Sequence, residues 1–130
     1  MGVDPHSAIP IFEQIVNHVR GALAAGVYRP GEPIPSLRVM ARTLTVNPNT
    51  VQRAFEQLER EGLIEARKGL GMFVTTDGAT SARTQSAAAV YTAFAQGIRV
   101  GQAARLPAGQ IRESFDNAWS DSHSEVRDGK

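Results

Sequence analysis

Between Pro10 and Gly62 the chain is interrupted by Gly26, by a run from Tyr28 to Pro35 carrying three prolines, and by Asn47-Pro48. Proline has no amide donor for a helix interior and clashes with the preceding turn, so no single helix crosses these points. What remains is three short segments, each with apolar residues at helical spacing. Pro10 can take a first helical position, and Phe12, Ile15, Val16, Val19, Ala22 and Leu23 then recur until Gly26. Ser36 is a good N-cap for a second helix of about two turns, with Leu37, Met40, Ala41 and Leu44 at i, i+3, i+4 and i+7. Asn47 followed by Pro48 reads as an N-cap with proline at the first helical position. The third helix so opened buries Val51, Ala54, Phe55 and Leu58 and closes at Gly62.

After Gly62 the periodicity changes. Leu63 to Arg67 and Met72 to Thr75 are short runs around Lys68-Gly69-Leu70-Gly71, the pattern of a small hairpin whose glycines permit a tight reversal. Thr76 to Gln85 is rich in Thr, Ser, Ala and Gly without apolar periodicity and is expected to be a linker. Helical spacing then resumes. Ala87, Val90, Tyr91, Phe94 and Ile98 form a stripe expected to stop near Gly101, although Gly97 and Gly101, four apart, would also permit a close helix crossing. Pro107 can open a last helix with Ile111, Phe115, Ala118 and Trp119 on one face. From Asp121 onward the residues are polar, and fraying is expected there. The expected fold is mainly α with a small β-hairpin: a winged helix-turn-helix domain over 1–75, a linker over 76–85, and a two-helix tail over 86–130.

A chain of 130 residues holds one compact domain and an appendage. Aromatic residues make up only 6%, so the core is built mainly from aliphatic side chains and leaves little room for a large catalytic cavity. The absence of cysteine removes disulfides, thiolate nucleophiles and Cys-based zinc sites, and is compatible with a reducing cytoplasm, the expected location. Met1 to Pro10 has no basic region followed by an apolar run, and no stretch reaches the roughly 20 apolar residues that span a bilayer, so no membrane partner is expected.

The net charge of +1 says little about nucleic acid, but its distribution says more. From Pro33 to Phe55 there are three arginines, Arg38, Arg42 and Arg53, and no acid, whereas Glu56, Glu59, Glu61 and Glu65 crowd the next stretch. Two helices joined by Thr45-Val46-Asn47 and followed by a basic hairpin form the arrangement of a winged helix-turn-helix. Opposite its buried face the third helix offers Asn49, Gln52 and Arg53. Amide side chains pair bidentately with adenine and guanidinium with guanine, while Thr50 and the helix N-terminus can hold a phosphate. Arg67 and Lys68 put two cations at the hairpin. The same spacing is compatible with a protein-binding adaptor, which DNA affinity independent of salt would favour.

Two stretches resemble the GntR superfamily of bacterial regulators. One is Ile11-Phe12-Glu13-Gln14-Ile15 followed by Pro30-Gly31-Glu32-Pro33-Ile34-Pro35-Ser36-Leu37-Arg38. The other runs from Val46-Asn47-Pro48-Asn49-Thr50-Val51-Gln52-Arg53-Ala54-Phe55 through Glu61-Gly62-Leu63-Ile64 to Gly69-Leu70-Gly71-Met72-Phe73-Val74. Together they cover residues 9 to 75. The Asn47-Pro48-Asn49-Thr50-Val51 wording with so short a tail resembles the YtrA-like branch. The resemblance implies a DNA-backbone or groove-edge contact for Arg38, a phosphate contact for Thr50, a recognition surface at Asn49, Gln52 and Arg53, and a wing that Gly69 lets approach the minor groove. With the caps Ser36 and Asn47, and with Arg67, Lys68 and Gly71 of the hairpin, these make up the expected DNA-binding set. Pro48 and Gln52 stand where other branches often place guanine-reading arginines, so base preference does not transfer.

Catalysis has no visible site, and an enzyme is not expected: His6, His18 and His123 are scattered over an arm, a helix and a tail end. The pyridoxal-phosphate chemistry of some superfamily members needs a buried Schiff-base lysine, and the chain holds only Lys68 and Lys130. Asp116, Asp121, His123 and Glu125 read as solvated surface rather than a metal site, so neither metal nor cofactor is expected. Two tail helices alone bury too little apolar surface to stand as a folded unit. Val90, Tyr91, Phe94, Ile98, Ile111, Phe115 and Trp119 are therefore the expected interface of a homodimer. It would act, as a repressor, on a double-stranded inverted-repeat operator. The tail is small for enclosing a drug-sized effector, and no ligand is assigned to it.

Overall fold

The computed structural model describes residues 2–128, with side chains to His123; Lys130 and the side chain of Glu125 lie outside the described residues. The elements run α1 (Ile11–Ala24), α2 (Leu37–Leu44), α3 (Pro48–Arg60), β1 (Ile64–Arg67), β2 (Gly71–Val74), α4 (Gly78–Ala103) and α5 (Ala108–Asp128). They fall into two compact units, one ending at Ala88 and the next beginning at Ala89.

In the first unit α1 contributes Ile15, Val16, Val19 and Leu23 to the core, α2 contributes Met40, Ala41 and Leu44, and α3 contributes Val51, Ala54, Phe55 and Leu58. Pro10 sits one position earlier than expected, as the cap residue of α1, because its extended ψ of 147° is not yet helical. The break between α2 and α3 is made at Thr45, whose φ of 56° turns the chain left-handed while the Val46 N–H returns to the Ala41 carbonyl at 3.0 Å. Asn47 then restarts the helix.

The hairpin pairs antiparallel in the register Ile64↔Val74, Glu65↔Phe73, Ala66↔Met72 and Arg67↔Gly71. Alternation sends Ile64 and Val74 into the core and leaves Glu65, Arg67 and Gly71 outside. The reversal closes with Leu70 N–H to the Arg67 carbonyl, 2.8 Å, around Gly69 at φ +77°, a conformation that strains any residue with a Cβ. The proline-bearing connection before α2 adds a partial third strand. Ile34 N–H donates to the Met72 carbonyl at 3.0 Å, and Val74 N–H donates to the Glu32 carbonyl at 2.9 Å. Proline is tolerated there because the run pairs only as an edge.

Residues 78–85, expected to be linker, are instead the first turns of α4. Small residues conceal the reason: Ala82 is fully buried in the core, and a Cβ on Gly78 would meet the Leu63 carbonyl oxygen and Val74 Cγ1 at 2.8 Å. Contact by Gly and Ala produces no large apolar stripe, while alanine strongly favours the helix. Arg83 adds a bond from Nη2 to the Ala24 carbonyl, 3.0 Å.

In the second unit α4 runs past Gly101, where a stop was expected, to Ala103. It ends at Arg105, left-handed at φ 59°, with Leu106 N–H returning to the Gly101 carbonyl at 3.0 Å. Gly101 is a crossing point: a Cβ there would lie 2.7 Å from Ile111 Cδ1. The fraying expected from Asp121 is likewise not seen, since α5 continues to Asp128. Contacts one turn back support it: Ser122 Oγ donates to the Ala118 carbonyl at 2.9 Å, and the His123 ring lies 4.6 Å from that of Trp119.

Candidate nucleic-acid interface

With Val51, Ala54, Phe55 and Leu58 buried, the helical step of 100° carries Asn49, Arg53 and Glu56 to the outer face of α3, and all three are exposed. Gln52 and Thr50 flank this face. Gln52 borders a groove of about 630 Å³ whose far wall is the wing, at Arg67, Lys68 and Gly69. Thr50 is half-buried on the opposite flank, beside Val3 and Pro5 of the N-terminal arm. That arm is tied to α1 by Gln14, whose side chain accepts from the Asp4 amide at 2.6 Å and donates to the Asp4 and Ile9 carbonyls at 2.8 Å.

The two expected cap residues are engaged with backbone. Ser36 Oγ accepts from the Val39 N–H at 3.2 Å, and Asn47 Oδ1 accepts from the Asn49 N–H at 2.8 Å. Neither α2 nor α3 has an acid in its first turn, so the positive ends of both helix dipoles are left uncompensated on the side that carries Arg38 and Asn49. Arg38 is exposed in the first turn of α2, and Lys68 is exposed at the hairpin.

Both remaining arginines of the expected set lie over aromatic rings. The Arg53 guanidinium carbon is 4.8 Å from the centroid of Phe12, on α1, and that of Arg67 is 4.2 Å from the centroid of Phe73, on β2. Arg67 also approaches Glu65 at 3.6 Å, an exposed pair of little energetic weight. Sequence reasoning placed Phe12 in the core stripe of α1 by its spacing and gave Phe73 no separate role. Nothing in a one-dimensional pattern marks a ring as the partner of an arginine forty-one positions away.

All the buried side chains among the described residues are apolar, and no group of three His, Asp or Glu side chains among them is placed to hold a metal ion. No helix of the described chain is long and apolar enough to cross a membrane. The surface therefore gathers cations, amides and two capped helix N-termini with no acid in their first turns, with Glu56 farther along α3.

Residues 11–74 match the family described as bacterial regulatory proteins, gntR family. The HTH-type transcriptional repressor YtrA of Bacillus subtilis is 39% identical over 79 residues, 61% of each chain, so the match spans about three fifths of that relative. An HTH-type transcriptional regulator of Mycobacterium tuberculosis is 33% identical over 96 residues, covering 74% of this chain and 79% of its own. Among solved structures, a GntR family transcriptional regulator from Listeria monocytogenes superposes with a TM-score of 0.69 at 26% identity, covering 88% of this chain and 98% of that one. By their printed names these relatives are transcription regulators, and the superposition on the Listeria monocytogenes regulator takes in both the winged helix-turn-helix and the helical C-terminal part. The chain belongs to the gntR family of bacterial regulatory proteins.

Proposed function

We propose that this chain is a sequence-specific DNA-binding transcription regulator, a cytoplasmic repressor that acts as a homodimer on an inverted-repeat operator. The observation that carries the reading is the outer face of α3, with Asn49, Gln52 and Arg53 exposed between a helix N-terminus that has no acid in its first turn and the cationic wing. In this reading Asn49, Gln52 and Arg53 meet base edges in the major groove. Arg38, Thr50 and the N-termini capped by Ser36 and Asn47 hold phosphates, and Arg67 and Lys68 reach the minor groove or its rim where Gly69 and Gly71 leave little bulk. Repression carries over from the printed name of the Bacillus subtilis relative.

Dimerisation is supported by the second unit. Val90, Tyr91, Phe94, Ile98, Phe115 and Trp119 remain between 43% and 75% exposed in the single chain, large apolar side chains that a partner would cover. Ile111 differs from the other expected interface residues: it is half-buried against Gly101 within its own chain. A second copy, adding two helices to two, would cover the face and set two recognition helices about 34 Å, or a small multiple, apart.

Selection of the full chain on a randomised duplex library tests the reading. The expected result is a pseudo-palindromic consensus bound with an affinity that falls steeply with salt. No enrichment, or enrichment of a duplex bound independently of salt, would overturn it.

A further inference from the structure

Phe12 and Arg53 are brought together from different helices, and their contact differs from the other arginine contact in the same region. Arg20 and Arg53 lie along the α1–α3 flank of the first unit. The Arg20 guanidinium is consumed internally, with Nη2 donating to both carboxylate oxygens of Glu61 at 2.8 and 3.0 Å. Arg53 makes no ion pair and donates no hydrogen bond among the described residues, even though Glu56 follows it one helical turn later. What orients it is a ring face 4.8 Å away, within the range of cation–π attraction.

We infer that Phe12 is a positioning residue for base readout, its ring bracing the Arg53 guanidinium in the orientation used on a base edge. This rests on the DNA-binding reading above. The guanidinium carbon lies over the ring and none of the N–H groups is spent on an acceptor among the described residues, so the ring contact and a bidentate bond to guanine O6 and N7 are compatible. An exposed arginine otherwise samples many rotamers and loses that freedom on binding; bracing it beforehand lowers this loss. The ring is itself held firmly, since α1 is anchored by Ile15, Val16 and Val19, none more than 5% exposed. The wing repeats the device. Gly71, opposite Arg67 in the register, has no side chain in the way, and the Arg67 guanidinium lies across Phe73, the diagonal neighbour.

The test uses the full chain and the duplex chosen by library selection. Phe12→Leu should weaken binding to that duplex about two- to fivefold, the scale of an exposed cation–π contact. It should also flatten preference at the base pair that Arg53→Ala relaxes, while affinity for a scrambled duplex and the salt slope stay unchanged. Phe12→Trp should restore both, and Phe12→Leu should cost nothing further in the Arg53→Ala background. Unchanged base preference in Phe12→Leu, or the same loss with and without Arg53, would overturn the inference, the second result showing that the ring acts only through the fold. If the wild-type chain preferred no duplex, the DNA-binding reading itself would fall. That outcome is distinct from a wild-type preference that Phe12→Leu leaves intact.

Discussion

Glu61, the cap residue just past α3, grips Arg20 of α1 with both carboxylate oxygens, and Gln57 Nε2 donates to the same carboxylate at 2.7 Å. The two charged side chains are only 14% and 20% exposed, so each has little water to fall back on if the other is removed. Glu61→Ala should therefore destabilise the first unit by about 2 kcal/mol, less than for a fully buried pair because some solvent remains. Replacing both partners, Arg20→Met with Glu61→Leu, should cost less than the single change. Urea melts of the three proteins check the order, and equal losses in the single and double variants would contradict it.

On DNA, Gln52→Ala and Arg53→Ala should each cost about 1 to 3 kcal/mol and relax preference at particular operator positions. Arg38→Ala should weaken all duplexes alike and lower the slope of log affinity against log salt by about one unit. Titrations at several salt concentrations on selected and scrambled duplexes separate the two behaviours. If all three changes left affinity and slope untouched, the docking described here would be wrong.

The wing cations contribute little to folding, since Lys68 is exposed and the Arg67–Glu65 pair is screened by water. Arg67→Glu with Lys68→Glu should thus abolish binding at moderate salt and leave the melting temperature nearly unchanged. A large drop in melting temperature would instead mark the Arg67–Phe73 contact as structural.

The tail calls for variants that spare contacts within one chain. Phe94 and Phe115 lie edge to face at 5.6 Å and Phe115 stacks toward Trp119 at 6.0 Å, so changing them also disturbs the pairing of α4 with α5. Tyr91, 75% exposed, has no aromatic neighbour among the described residues. Tyr91→Asp should shift the chain from dimer to a folded monomer and weaken operator binding. Light scattering gives the answer: a wild-type mass near 14.0 kDa at micromolar concentration would exclude the dimer. A chain ended at Thr76 would lose Gly78 and Ala82 from the core and be destabilised, whereas one ended at Ala88 keeps them.

His18, half-buried on α1, has its pKa held below the ordinary 6.5, chiefly because burial disfavours the charged ring. A depressed folded-state value means the neutral form is favoured by folding. Its contribution is therefore fully present above pH 6.5 and lost as pH falls through the lower folded value. Chemical denaturation between pH 7.5 and about 5 should show the decline, and His18→Gln should flatten it. A steeper acid-side loss in the variant would contradict the assignment.

Local chemistry in the chain was enough to place α1, α2, α3 and the hairpin. Ser36 and Asn47-Pro48 start α2 and α3 where a capping oxygen and a preset φ demand it. The spacing of Val51, Ala54, Phe55 and Leu58 turns Asn49, Gln52 and Arg53 outward, and Gly69 supplies the backbone angle of the wing. These outcomes depend on residues a few positions apart. The course of Thr76 to Gln85 did not, because its contacts are made by Gly78 and Ala82 against residues of the hairpin and core, and small side chains write no hydrophobic pattern. Gly101 reads locally as a helix end or, with Gly97, as room for a crossing, and only Ile111 folded back on it decides for the crossing. The same holds for Phe12 beneath Arg53: a cation and a ring attract at short range whatever their separation along the chain, and packing of α1 on α3 alone brings them within reach.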